Sequence, residues 1–327
     1  MFNIENKKKQ HYVPQFYLNN WVGNDGIWVC NKLDEGRKVY NKKYTKDVGE
    51  KNYFYHAFVD DVVYDMLFYK YSKEIESKDP LFQVIFSRLK TLQLIDEVID
   101  KKVGVITDDI DLIKNAENLY DILKNVNLED WYSIMEGAVS EEIHKFTEIN
   151  TSIIRTMTPN GSYNALLAFF CFQLFRTPKL LTRLQDELNE LFLTRGSECT
   201  KLTIEQKNSV IKYIMFIESF TLAKKLHKEN YHIRIFKNHT KKRLITSDAP
   251  AISLGSGQIF GLLPLTPKLL MQVETENYKT HNDREKIIVE DCFNYDFIST
   301  TNSIIDSESH NFLYAKNKND FTKGKTK

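Results

Sequence analysis

Three short segments carry the side-chain types that acid–base and phosphate chemistry use. The stretch Gln10-His11-Tyr12-Val13-Pro14-Gln15-Phe16-Tyr17-Leu18-Asn19-Asn20-Trp21 is dense in groups that both pack and hydrogen-bond. His11 and Gln15 stand four apart, so on a helix they share a face, with Pro14 tolerated only in its first turn. A histidine there can act as general acid or base near neutral pH, with Gln15 orienting a water or substrate. The structural alternative is that these side chains fill the joint between a hairpin and helices. Further on, Arg243-Leu244-Ile245-Thr246-Ser247-Asp248-Ala249-Pro250 puts a carboxylate at the end of a β run. Loops in that position often project functional groups. Asp248 is thus a candidate base, metal ligand or partner holding His11 in one tautomer; a local Asx turn is the competing role. Arg176-Thr177-Pro178 interrupts the longest helical pattern. Arg176, on the same face as Gln173 in apolar surroundings, is either an anion clamp or half of a buried pair with Asp248 or Glu136.

Other patterns are weaker. Glu141-x-x-His144 has a spacing used in helical di-metal bundles, but no second copy follows, so a surface helix is expected. Gly255-Ser256-Gly257 is a turn without the spacing of a phosphate-binding loop. The chain contains no HExxH, GxSxG, P-loop or zinc-finger spacing, which removes the most easily read hydrolases and nucleotide-driven machines.

The elements that must position these groups follow from periodicity. Gly26–Cys30 and Lys38–Tyr40 read as a hairpin turning at Asp34-Glu35-Gly36, with Asn52–Tyr55 as a further strand. From about residue 60 to 228 apolar residues recur every three to four positions, giving helices over Ile110–Lys124, Leu128–Phe146, Ser162–Leu193 and Thr203–Lys228. Pro178 is expected to kink the third. Thr203-Ile204-Glu205-Gln206 is a capping box. After Asn230 the chain alternates again, in Tyr231–Phe236, Arg243–Ser247, Ala251–Leu254, Leu269–Val273 and Asn311–Ala315, with a helix expected over Asp283–Thr300. Strands at both ends and helices between exclude a βαβ alternation. The expectation is one α+β domain, 1–327: an N-terminal hairpin segment (10–55), a large central helical body (60–228) and C-terminal strands and helix (231–315). A small antiparallel sheet would join strands from the two ends.

Composition bounds the class. Of 327 residues 42% are hydrophobic and 27% charged, with 12 Gly and 7 Pro, which excludes a disordered or collagen-like chain. The net charge of +1 averages two basic ends, +2 over residues 1–10 and +4 over 316–327, against −5 between them. This excludes a uniformly basic nucleic-acid binder but leaves a local phosphate site open; the basic tail itself is either a solvated end or a nucleic-acid arm. Only nine of the 45 basic residues are Arg, so each is a candidate for bidentate contacts. The start of the chain is polar, and Ala165–Phe175, its greasiest run, is far shorter than the ~20 residues of a membrane span. It reads as a helix buried on nearly all sides. Cys30, Cys171, Cys199 and Cys292 form no CxxC pair. A cytoplasmic protein with reduced thiols and no membrane association is expected.

His11-Tyr12-Val13-Pro14-Gln15-Phe16-Tyr17-Leu18, Arg176-Thr177-Pro178, Thr246-Ser247-Asp248-Ala249-Pro250 and Leu263-Pro264-Leu265-Thr266-Pro267 occur in one order. Together they resemble the bacterial domain-of-unknown-function family number four-two-three-eight, over residues 10 to about 315. Ala249 departs from its pattern, which has Asn there. The resemblance implies a protein of mobile and defence-associated regions, some members being counted as single-gene anti-phage systems. The expectation that follows is an anti-phage effector, nuclease-like, acting on nucleic acid or nucleotides. His11, Gln15 and Asp248 would be its catalytic groups, Arg176 and Tyr12 its substrate contacts, and a divalent metal is compatible with that set. The alternative is a non-catalytic module that recognises a phage component, the same residues forming an internal scaffold.

Overall fold

A computed structural model describes residues 8–33, 36–100, 110–148, 155–157, 160–195, 202–255, 257–275 and 287–321. The Asp34-Glu35 part of the hairpin turn, Cys199 and most of the two basic ends, residues 1–7 and 322–327, lie outside the described residues. In chain order the elements are β1 (Lys9–His11), α1 (Gln15–Asn19), β2 (Ile27–Asn31), β3 (Lys38–Lys42), β4 (Glu50–Asn52), α2 (Asp61–Lys70), α3 (Ser72–Glu76), α4 (Pro80–Asp100) and α5 (Ile110–Glu148). They continue with β5 (Arg155–Met157), α6 (Asn160–Phe175), α7 (Pro178–Arg195), α8 (Ile204–Lys228), β6 (His232–Asn238), β7 (Thr246–Ser247), β8 (Ile252–Ser253), β9 (Ile259–Thr266), β10 (Leu269–Glu274), β11 (Ile287–Cys292), α9 (Tyr295–Glu308) and β12 (Phe312–Ala315). The fold class is α+β, as the pattern of periods implies. The residues fall into two compact units.

The first unit, Met1–Gln10, Asn52–Tyr132 and Leu181–Ile217, is helical. Asp60 starts α2 by accepting a hydrogen bond from Val63 N at 2.7 Å, and its second oxygen accepts from Gln206 Nε2 at 2.7 Å. The capping box forms as its residues imply: Gln206 N donates to Thr203 Oγ1 and Thr203 N to Gln206 Oε1. Between α2 and α4 the apolar stripe is aromatic, Tyr71 meeting Phe82 and Phe86 with ring centroids 5.6 and 6.2 Å apart. Each such pair adds to the burial of its own surface.

The second unit, His11–Lys51, Ser133–Leu180 and Glu218–Lys327, holds both larger sheets. In the four-stranded antiparallel sheet the order is β3-β2-β12-β7, so the N-terminal hairpin is completed by strands from the other end of the chain. A six-stranded sheet, β5-β11-β6-β10-β9-β8, was not anticipated. All its pairs are antiparallel except β11 with β6. It includes a strand where a helix from Asp283 is expected: Ile287-Ile288-Val289 is a β-branched run that suits a buried strand. The helix begins only at Tyr295, where Asn294 caps it by accepting from Phe297 N at 2.9 Å. Residues 276–286 lie outside the described residues.

Helix α6 is buried around its circumference, with Leu166, Leu167, Phe169, Phe170, Cys171 and Phe172 all inaccessible. Gly261 of β9 makes room for it, since a Cβ there would collide with Ile252 O and the Phe170 ring. At Thr177-Pro178 the chain breaks rather than kinks. Pro178 takes the first position of α7, and Thr177 Oγ1 accepts from Leu180 N at 3.2 Å. A Thr-Pro pair suits a helix start better than a bent helix interior because proline's missing N–H is unneeded there.

Candidate functional site

The opening segment packs through α1, which follows Pro14 in extended conformation. Tyr17, Leu18 and Trp21 are fully buried, and Tyr17 does most to locate the helix. Its hydroxyl donates to Pro264 O at 2.5 Å and lies 2.6 Å from Thr246 Oγ1, which donates to it. One phenol therefore joins the opening segment, the Thr246-Ser247 strand and the Pro264 strand. Burial pushes its pKa well above the ordinary tyrosine value, against the opposing hydrogen bond from Thr246. Sequence reading gave Tyr17 no role; the signal was a tyrosine one helical turn before Trp21 on the apolar face.

His11 and Gln15 meet as their spacing implies. Gln15 Nε2 donates to His11 Nε2 at 2.6 Å, which puts the imidazole proton on Nδ1. Arg176 reaches the same segment by another route. One guanidinium nitrogen donates to His11 O at 2.5 Å and another pairs with Glu136, the arginine side chain being 4% exposed. Of the two partners its surroundings suggest, Glu136 is the one it has. Its charge is neutralised and its fork engaged on protein atoms.

Asp248, 1% exposed, is spent differently. Oδ1 accepts from His310 N at 2.9 Å, and Oδ2 from Asn311 N at 2.7 Å and Phe312 N at 3.0 Å. Asp248 N donates in turn to Phe312 O. The carboxylate fastens the turn between α9 and β12 to the end of β7, whereas the roles anticipated for it were base, metal ligand, partner of His11 or Arg176, or a local Asx turn. The local turn belongs to Ser247, whose hydroxyl donates to Ala249 O and accepts from Ala249 N. Burial raises the Asp248 pKa while the amides of Asn311, His310 and Phe312 lower it. A carboxylate facing three N–H dipoles is suited to holding peptide, not a cation. Among the described residues no group of three or more His, Cys, Asp or Glu is arranged to hold a metal ion.

Tyr12 faces Asp248 electrostatically and hydrogen-bonds Tyr314; burial, first, and Asp248, second, push its phenol pKa up. Tyr12, Tyr40, Lys42, Glu50 and Tyr314 border a cavity of about 110 Å³, too small for a nucleotide. Gly49 closes its floor, with φ +63°, and its carbonyl accepts from Tyr12 N and Val13 N. Four of the five predicted site residues are thus anchored to one another or to backbone within this unit. Tyr17 and Tyr314 were missed.

A second polar surface lies at one end of the six-stranded sheet. The register Cys292↔Asn238 brings the residues after β6 and β11 side by side. There His239 and Phe293 stack, with centroids 4.8 Å apart and planes 18° from parallel. Phe293 is 74% exposed and Tyr295 46%. His239 Nε2 lies 2.7 Å from Asp291 Oδ1. Lys237, Lys241, Lys242, Arg243 and Lys268 belong to the same sheet end. Lys268 Nζ donates to Thr240 O at 2.6 Å, and Arg243 pairs with Asp320 at 3.6 Å. Burial, then the neighbouring Arg243 charge, lowers the Lys268 pKa. The sequence signal was Lys241-Lys242-Arg243 between two strands, the densest internal cluster of cations near exposed aromatics.

A family model described as "Protein of unknown function (DUF4238)" matches residues 9–319, and the chain belongs to that family. Comparison with curated proteins and with solved structures finds no match.

Proposed function

We propose that this chain is a bacterial anti-phage defence protein that works by binding, and that the phage component it recognises is single-stranded nucleic acid. The observation that carries this is the exposed His239–Phe293 stack, which follows β6 and β11 at the sheet end where Lys241, Lys242 and Arg243 come next in the chain. Proteins that hold single strands without reading sequence combine aromatic platforms for bases with cations that track the backbone. Phe293 would take the first base. His239, steadied by Asp291, would back that platform. The defence role rests on the family resemblance.

A hydrolytic effector using His11, Gln15, Asp248 and Arg176 fits less well. Such a site needs an arginine able to meet phosphate and a carboxylate able to meet water or metal. Arg176 is committed to Glu136 and His11 O, and Asp248 to three amides. Location in the cytoplasm is part of the proposal; the buried, unpaired thiols of Cys30, Cys171 and Cys292 suit a reducing compartment. No helix among the described residues is long and apolar enough to cross a membrane.

The test is fluorescence anisotropy of a labelled oligothymidylate against the full chain, with phage plating in parallel. Phe293→Ala should weaken binding by about tenfold or more, as expected for one lost base stack, and lower protection. Lys241→Ala with Lys268→Ala should flatten the salt dependence. Equal binding by the parent and Phe293→Ala proteins would sink the proposal.

A further inference from the structure

The small cavity beside Tyr12 is a site in its own right, and the geometry points to a quaternary ammonium group as its ligand. This is independent of the nucleic-acid reading above. One face of the four-stranded sheet builds the inner wall. Tyr40 stands opposite Val29, and Val29 opposite Tyr314, so the three share a face in one row across β3, β2 and β12. Lys42 and Phe312, two residues along from Tyr40 and Tyr314, fall on the same face. Strands lie about 4.8 Å apart and their side chains stand roughly perpendicular to the sheet, so the two tyrosines rise about 10 Å apart. Val29 between them is too short to fill the gap. Tyr12, Asp47 and Glu50 bound it from the other side, which leaves the cavity of about 110 Å³.

The walls select for positive charge. Asp47 and Glu50 against Lys42 leave the lining at −1, and the buried Asp248 carboxylate adds its field at Tyr12 and Tyr314. Aromatic faces favour cations for the same electrostatic reason. Tyr40 already receives one: Lys42 Nζ lies 6.0 Å from its centroid, at the outer limit of a cation–π contact. Tyr40, Lys42 and Glu50 are half-buried and Asp47 is exposed, whereas Tyr12 and Tyr314 are buried. The mouth is therefore on the Lys42 side, where a flexible lysine stem can swing toward water.

The polar groups of the lining are engaged elsewhere, and that narrows the cation. Tyr12 and Tyr314 hydrogen-bond each other, and Tyr40, Asp47 and Glu50 each have partners of their own. A primary ammonium brings three N–H donors, costly to bury without acceptors. A nitrogen carrying four carbons brings a charge and no donor, which suits ring faces and a negative field. Its size agrees. At about 30 Å³ for each water-sized group, four carbons around a nitrogen occupy about 120 Å³. Midway between rings about 10 Å apart, the nitrogen lies about 5 Å from each, inside the ~6 Å reach of a cation–π contact. The rest of the ligand passes out beside Asp47 and Glu50, so an uncharged tail is favoured over a carboxylate. The larger cavity of the helical unit, about 450 Å³ beside Tyr53, His56 and Glu205, mixes acids, amides and Lys212 and selects no one ligand chemistry.

Calorimetric titration of the full chain with choline, tetramethylammonium, glycine betaine and the uncharged choline isostere 3,3-dimethylbutan-1-ol tests this. Choline should bind with a Kd of about 1 mM or below, and the isostere, alike in shape, at least about tenfold more weakly. Betaine should bind more weakly than choline. Lys42→Met removes a like charge and should tighten choline by about threefold or more; an anionic ligand would show the reverse. Tyr40→Leu, in an edge strand, should weaken choline by about fivefold or more, with the denaturation midpoint checking the fold. A trimethylammonium group occurs on free amines and on lipid headgroups, and sedimentation with phosphatidylcholine vesicles tells them apart. Pelleting reversed by choline assigns the headgroup; no pelleting assigns the free amine. No heat from choline or tetramethylammonium at about 10 mM, an isostere that binds as tightly as choline, or weaker choline binding by Lys42→Met overturns the assignment. So does unchanged affinity in a folded Tyr40→Leu protein.

Discussion

Asp248 and Glu205 are both carboxylates near the start or end of an element, yet their surroundings differ completely. Asp248 is buried and its two oxygens receive three backbone amides; Glu205, in the first turn of α8, is exposed at a cavity and takes no partner among the described residues. His11 and His56 repeat the contrast. The first is tied to Gln15 within a motif whose neighbours are mutually satisfied; the second is held by its back edge and keeps a nitrogen for something else. Side chains that fold a protein spend their hydrogen bonds on it, whereas side chains that bind keep some in reserve. A recurrent polar motif is therefore not by itself a site.

This contrast can be broken by substitution. The largest effect is expected from Asp248→Ala, which strands three buried amides and should cost about 3–5 kcal/mol in chemical denaturation. Loss of phage protection should accompany it. A variant of unchanged stability that no longer protects would return Asp248 to catalysis. Tyr17→Phe comes next, at about 1–3 kcal/mol near neutral pH, because Pro264 O and Thr246 lose their shared partner. Tyr17 also gives a pH signature. Its folded pKa is raised, so the native chain keeps a proton that the unfolded chain releases above about pH 10. Stability should then fall as pH rises past that value, by about 1.4 kcal/mol per unit for each such tyrosine. Tyr17→Phe should reduce the slope by one proton. Phe293→Ala should leave the denaturation midpoint where it was while weakening oligonucleotide binding. Smallest of all, Glu205→Ala should shift stability by no more than about 0.5 kcal/mol; a larger loss would mean that the cavity residue is structural after all.

The joining of the two chain ends was legible because it needed only alternation and the absence of βαβ order. Arg176 could be singled out because a charge in an apolar stretch must be paired, and Glu136 was one of two partners that its neighbourhood suggested. What stayed hidden depended on distant residues. Helix α5 reads as two helices because Asn125 and Asn127 look like a break, but both are buried within one helix, where Asn125 Nδ2 donates to Asp121 O at 2.9 Å and Asn127 Nδ2 to the Tyr213 hydroxyl at 3.0 Å. Strand β11 was hidden by helix-compatible residues on either side of a β-branched core. His56 belongs to no motif. Its meaning comes from Gln10 and Asn125, 46 and 69 positions away, which no local pattern could pair with it.

The four-stranded sheet has a consequence for synthesis. Its hairpin is complete by Lys42, but its neighbours β7 and β12 begin only at Thr246 and Phe312. At about 5–20 residues per second, an emerging chain waits on the order of 12–50 s before Tyr17 meets Pro264 and about 14–56 s before β2 meets β12. During that interval an open strand edge and the unburied side chains of Tyr17 and Trp21 face the ribosome's surroundings. The protein therefore depends on being finished: a message broken before codon 246 yields a hairpin with no sheet to join, and a substrate for chaperones and proteases.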